Sequence, residues 1–457
     1  MSNFWDSSVW GSLNLVTVLL LSLLAASLLK KSVKFLQDSL IPTSVVGGAI
    51  LLCIAAIYKF ITKDVMFDTA FFGGNGSSVL EVVTYHTLAL GFIASAFTGS
   101  TQKLSKQRNI EIFNTGVTTV STYLIQAIVG LGITIIAAHI MKDFFSASGI
   151  LLPFGYGQGT GQALNYGNIY ETEYGFAGGK SFGLTVAAMG FLSASIGGVI
   201  HLNVSKNRKK REQAVERQVM AEDRATEKDI PIFENMDTLS VQVAFVLMAY
   251  FITYIAMSLL GALLPGMKAV IFGFNFLLGV LMATLSKIII NKMYQKNILK
   301  KKYINEFLMV RVRNFFFDIM VVAGIAAIRL NALGKYLGIL IILGLAGAVV
   351  TYIYLRIVCR VLFKAYEEEQ FLAMYGMLTG TASTGIILLR EIDDNFKTPV
   401  SDNLVYQNFP AIIFGFPMML LATLAPKMPG ITLLIIVVFF IVMNIILFRS
   451  FIFKKRK

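Results

Sequence analysis

The sequence predicts an all-α polytopic membrane protein: inverted repeats of five transmembrane helices, each with a re-entrant hairpin, plus an extra C-terminal helix. Three observations lead there. The 457 residues are 56% hydrophobic and only 14% charged, with a mean hydropathy of +0.70, whereas a soluble chain carries about 25% charged residues. Polar surface is missing, so lipid is the solvent for most of the outside. Apolar runs of about 20 residues, the length that crosses a hydrocarbon core, recur along the chain. Two glycine-rich stretches, 153–171 and 375–391, occupy corresponding places in its two halves.

Taken in order, spans are expected at 11–29, 41–61, 82–99, 112–140 and 181–202, with the first glycine-rich stretch before the fifth. Residues 203–237 change character, from apolar to a charged run without an apolar face, and read as a cytoplasmic linker. The second half follows the same plan, with spans at 239–260, 267–290, 305–329, 336–363 and 404–425, and an additional one at 431–448. The units are therefore 1–202 (hairpin about 147–168), the linker 203–237, 238–425 (hairpin about 371–391), and 426–457 with a last span and a basic tail.

The net charge of +14 does not point to nucleic acid, because the basic residues sit in short loops between apolar runs. No Lys or Arg precedes Lys30, which puts the N-terminus outside. Lys30, Lys31, Lys34, Lys103, Lys106 and Arg108, the clusters at 206–211 and 292–302, the helix end from Arg356 to Lys364, and the tail Lys454 to Lys457 then all fall inside. The first half enters from outside and the second from inside, so the halves are inverted. Ile41-Pro42 followed by Val45-Val46-Gly47-Gly48 opens the second span as Leu264-Pro265 opens its partner. The chain is placed in the cytoplasmic (inner or cell) membrane with its C-terminus in the cytoplasm. The start, MSNFWDSSVW, has no basic n-region of a cleavable signal. Cys53 and Cys359 lie in apolar runs without metal-ligand spacing and read as packing residues.

The glycine-rich stretches carry the chemistry. Each interior glycine disfavours helix by about 1 kcal/mol, so non-helical backbone is expected there. Such backbone survives at membrane depth only where it lines a cavity or is buried in protein. Glycine lets amides and carbonyls turn to a ligand. Amides at a half-helix N-terminus suit a carboxylate, and carbonyls suit sodium. Candidate substrate-binding residues are Gly157, Gln158, Gly159, Thr160, Gly161 and Gln162 in the first tip, and Gly380, Thr381, Ser383, Thr384 and Gly385 in the second. Tip carbonyls near Gly159 and Gly380 are the candidate sodium ligands. The competing explanation is that small residues simply let helices pack closely.

The run Gly157, Gln158, Gly159, Thr160, Gly161, then Glu171, Glu173 and Tyr174-Gly175-Phe176, resembles the first pore-loop of the sodium:glutamate symporter family. That family's motif is a Gly-His/Gln-Gly-Thr-Gly core followed by an acidic pair and Tyr-Gly-Phe. Ile41-Pro42 with Val46-Gly47-Gly48 is similar to its second helix, and Gly380, Thr381, Ser383, Thr384 and Gly385 resemble its second pore-loop less closely. The resemblance implies a secondary transporter, not an enzyme. It would import glutamate with sodium as coupling ion and no cofactor, by alternating access with a sliding transport domain, as a homodimer. The span at 431–448 and the Thr/Ser-rich second tip depart from the family pattern. Another carboxylate (a dicarboxylate, a hydroxy acid or a different amino acid), coupled to sodium or protons, is therefore the alternative.

Other candidates stand beside these. Asp318, inside a span, would hold the substrate ammonium or sodium, or else pair with Arg311 or Arg313 on its own helix. Arg390 would grip a carboxylate bidentately, or pair with Glu391 or Asp393. Asn165, Asn275 and Asn314 read as interhelical hydrogen-bond partners. His86, His139 and His201 read as interfacial. Gly179-Lys180-Ser181-Phe182-Gly183 matches G-x-S-x-G, which raises an intramembrane serine hydrolase using Ser181 as a remote alternative, but the match opens a span rather than following a strand.

Overall fold

The computed structural model describes residues 3–38, 40–98, 105–204, 237–299, 301, 303–393 and 397–452. Most of the linker, Lys103, Lys300, Lys302 and the basic tail lie outside the described residues. The first half forms α1 (Ser7–Ser32), α2 (Lys34–Asp38), α3 (Thr43–Thr62), α4 (Gly76–Thr98), α5 (Lys106–Ile140), α6 (Leu151–Gln158), α7 (Thr160–Tyr174) and α8 (Gly179–Val204). The second half forms α9 (Thr238–Leu263), α10 (Lys268–Gly273), α11 (Asn275–Gln295), α12 (Glu306–Ala326), α13 (Leu337–Leu362), α14 (Glu367–Thr379), α15 (Ala382–Arg390), α16 (Val400–Tyr406), α17 (Asn408–Leu424) and α18 (Pro429–Leu447). Among the described residues there is no strand.

Nine helical stretches are long and apolar enough to cross a membrane among the described residues, and a tenth if the pair Val400–Tyr406 and Pro410–Leu424, bent by 49°, is one span. Helix α12 has the length, at 21 residues, but carries Glu306, Arg311, Arg313 and Asp318. Two expected spans are thus interrupted. The one at 267–290 is divided at Phe274, between α10 and α11, and the one at 404–425 bends around Gln407. Pro410 has no N–H for an i→i−4 bond, which accounts for the second interruption. Several spans begin on a polar cap: Ser105 Oγ accepts from the Arg108 N–H (3.2 Å), Asp237 from Ser240 (2.9 Å) and Asn305 from Leu308 (3.1 Å).

The helices sort into two packed bundles. In one, α1 lies on α3, α9 on α11, and α4 and α12 form the centre, with α3 against α12 and α11 against α4. In the other, α5 and α13 cross, α8 packs on α13 and α17 on α5, and the short helices α6, α7, α14 and α15 fill the space between. The bundles meet mainly where α7 leans on α4 and α12. Helix α18 joins the second bundle through α5. It buries Thr432, Ile436, Met443 and Leu447 on one face and exposes Leu434, Val438, Ile441 and Ile445 on the other, the pattern of a span with lipid on one side.

Lipid is as apolar as leucine, so helices here associate by close contact rather than by hydrophobic burial. The tightest contact is the crossing of Gly130 in α5 with Gly149 in the 3-10 turn that feeds α6, where a Cβ on either glycine would fall on the other's carbonyl. Gly149→Ala is therefore expected to destabilise by about 1–3 kcal/mol through overpacking, seen as a lower thermal midpoint in detergent. Gly132→Ala, in α5 with nothing within 4 Å of the added carbon, should hold the midpoint or raise it, since alanine favours helix over glycine by about 1 kcal/mol.

Candidate functional site

The first glycine-rich stretch is not the irregular backbone its composition predicts. It is helical through α6 and α7, and only Gly159, at φ 82° and ψ −170°, breaks the path. The reason is tertiary: Gly157 lies under the Tyr123 ring and Gly161 against Leu88, so these glycines admit neighbouring side chains instead of loosening the backbone. The second arm also runs six residues past the expected end at 168, to Tyr174. In the second half, α14 ends at Thr379, and α15 starts after Gly380 (φ −136°) and Thr381, whose hydroxyl accepts from the Thr384 N–H (3.3 Å). This hairpin begins at Glu367, four residues earlier than expected, because Glu367, Glu368 and Glu369 suit a helix N-terminus.

The two breaks face each other. The position of a Cβ on Gly159 is 3.9 Å from Thr381 Cγ2 and 3.9 Å from Met320 Cε. Each break ends one helix and starts another, so the N-termini of α7 and α15 and the C-termini of α6 and α14 converge on one region. With 8, 15, 13 and 9 residues in α6, α7, α14 and α15, the longest is roughly 22 Å at 1.5 Å per residue. None reaches across a hydrocarbon core of about 30 Å.

The side chains around this point are mostly held. Thr160 is fully buried and donates to the Met320 carbonyl (3.3 Å), in space that Gly324 leaves open. Gly157 O accepts from the Tyr123 hydroxyl (3.2 Å). Gln158 is partly buried, Ser383 lies in the first turn of α15, and Thr384 is buried with its hydroxyl 3.2 Å from that of Thr381. Gly385 fits α15 against the Ala373 carbonyl of α14. Gln162 is different. It is fully buried, its Oε1 is 3.5 Å from Asn165 Nδ2, and its Nε2 has no partner among the described residues. A buried donor without an acceptor is unfavourable by itself, and this one lies inside the first turn of a helix that starts at the break.

Two candidates lie elsewhere. Asp318 stands beside Ser44 on α3, two residues and so about 200° around α12 from Met320. It is not paired with the arginines of its helix: Arg311 covers the Phe307 ring and Arg313 donates to Asn314 (3.2 Å). Arg390 is exposed in the last turn of α15, roughly 12 Å along the helix from the tip. Asn165 and Asn275 do bridge helices, to the carbonyls of Gly273 and Tyr85, whereas Asn314 bonds its neighbour. His86 meets Tyr250 (2.6 Å) and His139 is exposed. His201, in the last turn of α8, is buried between Tyr352 (2.8 Å) and Glu368 (2.7 Å) at the root of α14. Ser181 Oγ accepts from the Arg329 N–H (3.0 Å). Among the described residues no group of three or more His, Cys, Asp or Glu side chains is arranged to hold a metal ion.

Sequence reasoning missed Gln126, Tyr123 and Met320. Gln126, fully buried, donates to the Leu378 carbonyl (2.9 Å) beside the second tip and to Thr351 (2.8 Å). A lone glutamine within an apolar run was the available signal. Nothing in the sequence marked the other two.

A cavity of about 410 Å³ lies between α4 and α7, lined by Glu81, Tyr85, Asn165, Asn168, Lys180 and others. Lys180 bridges Glu81 (2.8 Å) and Glu171 (3.9 Å), and Arg329 adds a contact to Glu81 (3.4 Å). The cavity reaches Asn165, the neighbour of Gln162. Broken helices whose ends meet are the arrangement in which secondary transporters hold their substrates.

A family model described as sodium/glutamate symporter matches residues 11–398. The chain belongs to the sodium/glutamate symporter family. Symporters of this family are transporters and not enzymes, which disposes of the hydrolase reading of Ser181. Among curated proteins no relative matches the chain. The symporter match takes in α1 to α15, both glycine breaks included, while α16, α17 and α18 lie beyond it. Family membership carries glutamate as substrate and sodium as coupling ion, at the level of the family.

Proposed function

We propose that this protein imports glutamate together with sodium by alternating access, holding the substrate between the tips at Gly159 and Gly380–Thr381. The observation that carries the reading is the meeting of the two breaks, with the unpartnered Gln162 amide beside them. Two helix N-termini place partial positive charge toward a dicarboxylate, and two helix C-termini offer carbonyls to a cation. Uptake of labelled glutamate into proteoliposomes under an inward sodium gradient tests it; uptake indifferent to sodium rejects it. The alternative of another carboxylate has one observation in its favour. The segments 157–162 and 379–385 contain no Asp or Glu to receive an ammonium group. If malate or citrate displaces the substrate and glutamate does not, that reading prevails.

The inverted-repeat architecture, with halves 1–202 and 238–425 and re-entrant hairpins, belongs to this proposal. Exchange of packing partners supports it. As α3 meets α12 through Ser44 beside Asp318 and Gly48 against Ile325, so α11 meets α4 through Asn275 on Tyr85 and Gly279 against Ile93. Each half gives its first three spans to one bundle and its last two, with the hairpin, to the other. Sliding of the second bundle along the first would expose the tips to each side in turn. The N-terminus outside, the C-terminus in the cytoplasm, and the homodimer implied by the resemblance complete the reading; particle mass in detergent checks the last.

Sliding must separate Glu81 on α4 from Lys180 on α8. In a background of Cys53→Ala and Cys359→Ala, a disulfide or short cross-link between Glu81→Cys and Lys180→Cys should stop uptake, and reductant should restore it. Undiminished uptake in the cross-linked protein rejects the sliding of these bundles.

A further inference from the structure

Near the second hairpin, the buried amides of α16 and α17 leave oxygens, not nitrogens, without partners. Asn403 is fully buried and Gln407 is 2% exposed; among the described residues, Asn403 Oδ1 and Gln407 Oε1 have no hydrogen-bond partner. The orientation of Asn403 follows from a chain of bonds that starts at a hydroxyl. Thr115 Oγ1 donates to the Glu111 carbonyl (2.8 Å), so it can only accept from Gln370 Nε2 (3.3 Å). That turns Gln370 Oε1 to Asn403 Nδ2 (3.2 Å) and leaves Asn403 Oδ1 free. Gln407 Nε2 is engaged by Asn408 Oδ1 (3.1 Å) and the Leu404 carbonyl (3.5 Å), with the Met377 sulfur at 3.6 Å, which leaves its oxygen free.

The Gln407 N–H donates to the Asn403 carbonyl (3.0 Å), so the two side chains stand one helical turn apart on one face. At the same bend, Pro410 has no N–H to offer the Tyr406 carbonyl. Buried acceptors without donors carry an uncompensated desolvation cost, and neutral amide and carbonyl oxygens at a broken helix are ligands for an alkali cation.

We propose that Asn403 Oδ1 and Gln407 Oε1 form a sodium site on the bent α16–α17 segment. This site is separate from the tip carbonyls and lies beyond the residues that the family model matches. Through Met377 and Gln370 on α14, an ion there braces the helix that ends at the Gly380 tip. The inference rests on the sodium-symport reading and adds where one coupling ion sits.

The test titrates sodium against wild type, Asn403→Ala, Gln407→Ala and Asn403→Asp. It uses two readouts: thermal stabilisation of the purified protein without glutamate, and the sodium concentration for half-maximal uptake at saturating glutamate. Each alanine variant should raise both midpoints by about tenfold or more, while the glutamate KM at saturating sodium stays within about threefold of wild type. Asn403→Asp, which adds a charged oxygen, should lower the midpoints. Alanine variants that titrate like wild type overturn the site and leave the two oxygens bridged by water only. A wild-type protein that shows neither sodium stabilisation nor sodium-driven uptake overturns the symport reading itself.

Discussion

Gly159→Ala should reduce sodium-driven uptake about 5- to 150-fold with the protein still folded in the membrane. At φ 82° and ψ −170° this residue occupies a region open essentially to glycine alone, and a side chain there costs about 1–3 kcal/mol. Space is not the obstacle, since the nearest atoms to an added carbon are at 3.9 Å. The penalty falls on the conformation that turns α6 into α7 at the meeting point. Gly380 supplies the contrast. Its φ of −136° is not left-handed, and an added carbon would lie 3.0–3.3 Å from Gly376 O, Thr384 Oγ1 and Ala194 Cβ. Gly380→Ala should therefore keep measurable uptake, whereas Gly380→Leu should lose it, as should Gly159→Leu. Wild-type rates in Gly159→Ala, at equal amounts of protein in the membrane, would contradict a site built on the two breaks.

Gln162→Met should separate binding from stability. Methionine fills nearly the same volume but removes the unpartnered Nε2. If that nitrogen waits for a carboxylate, the lost hydrogen bond to a charged group is worth about 1.5–3 kcal/mol, a 10- to 150-fold rise in the glutamate KM. The empty protein should be no less stable, since a buried donor without an acceptor is itself unfavourable. The thermal midpoint without substrate is expected to hold or rise. A KM within twofold of wild type would remove Gln162 from the site. A large fall in midpoint would mean that its main task is structural.

Most helix positions were legible because lipid reduces the question to one dimension: a backbone that must satisfy itself needs about 20 apolar residues per crossing. The glycine stretches were recognisable as special for the same reason. Their state was not. Propensity argues against helix at Gly155, Gly157 and Gly161, and Val186, Tyr123 and Leu88, remote in sequence, overrule it. The spans at 267–290 and 404–425 were visible as apolar runs, while the break at Phe274 and the bend at Gln407 were not.

Composition and spacing by themselves determined that the chain spans a membrane as helices and which two stretches are unusually rich in glycine, while their likeness to pore-loops came from the family resemblance. Only the tertiary structure decided that Gly159 alone breaks the first stretch. Packing also left the Gln162 Nε2 without a partner among the described residues while Thr160 found one, and set Asp318 and Arg390 away from the meeting point. It turned the Asn403 oxygen free through bonds that begin at Thr115, and the Gln407 oxygen free through Asn408 and the Leu404 carbonyl. The physical reason is that hydrophobic length is a property of consecutive residues. Whether a buried polar atom is satisfied depends on partners brought by other helices, such as the pairing of Gln370 with Asn403.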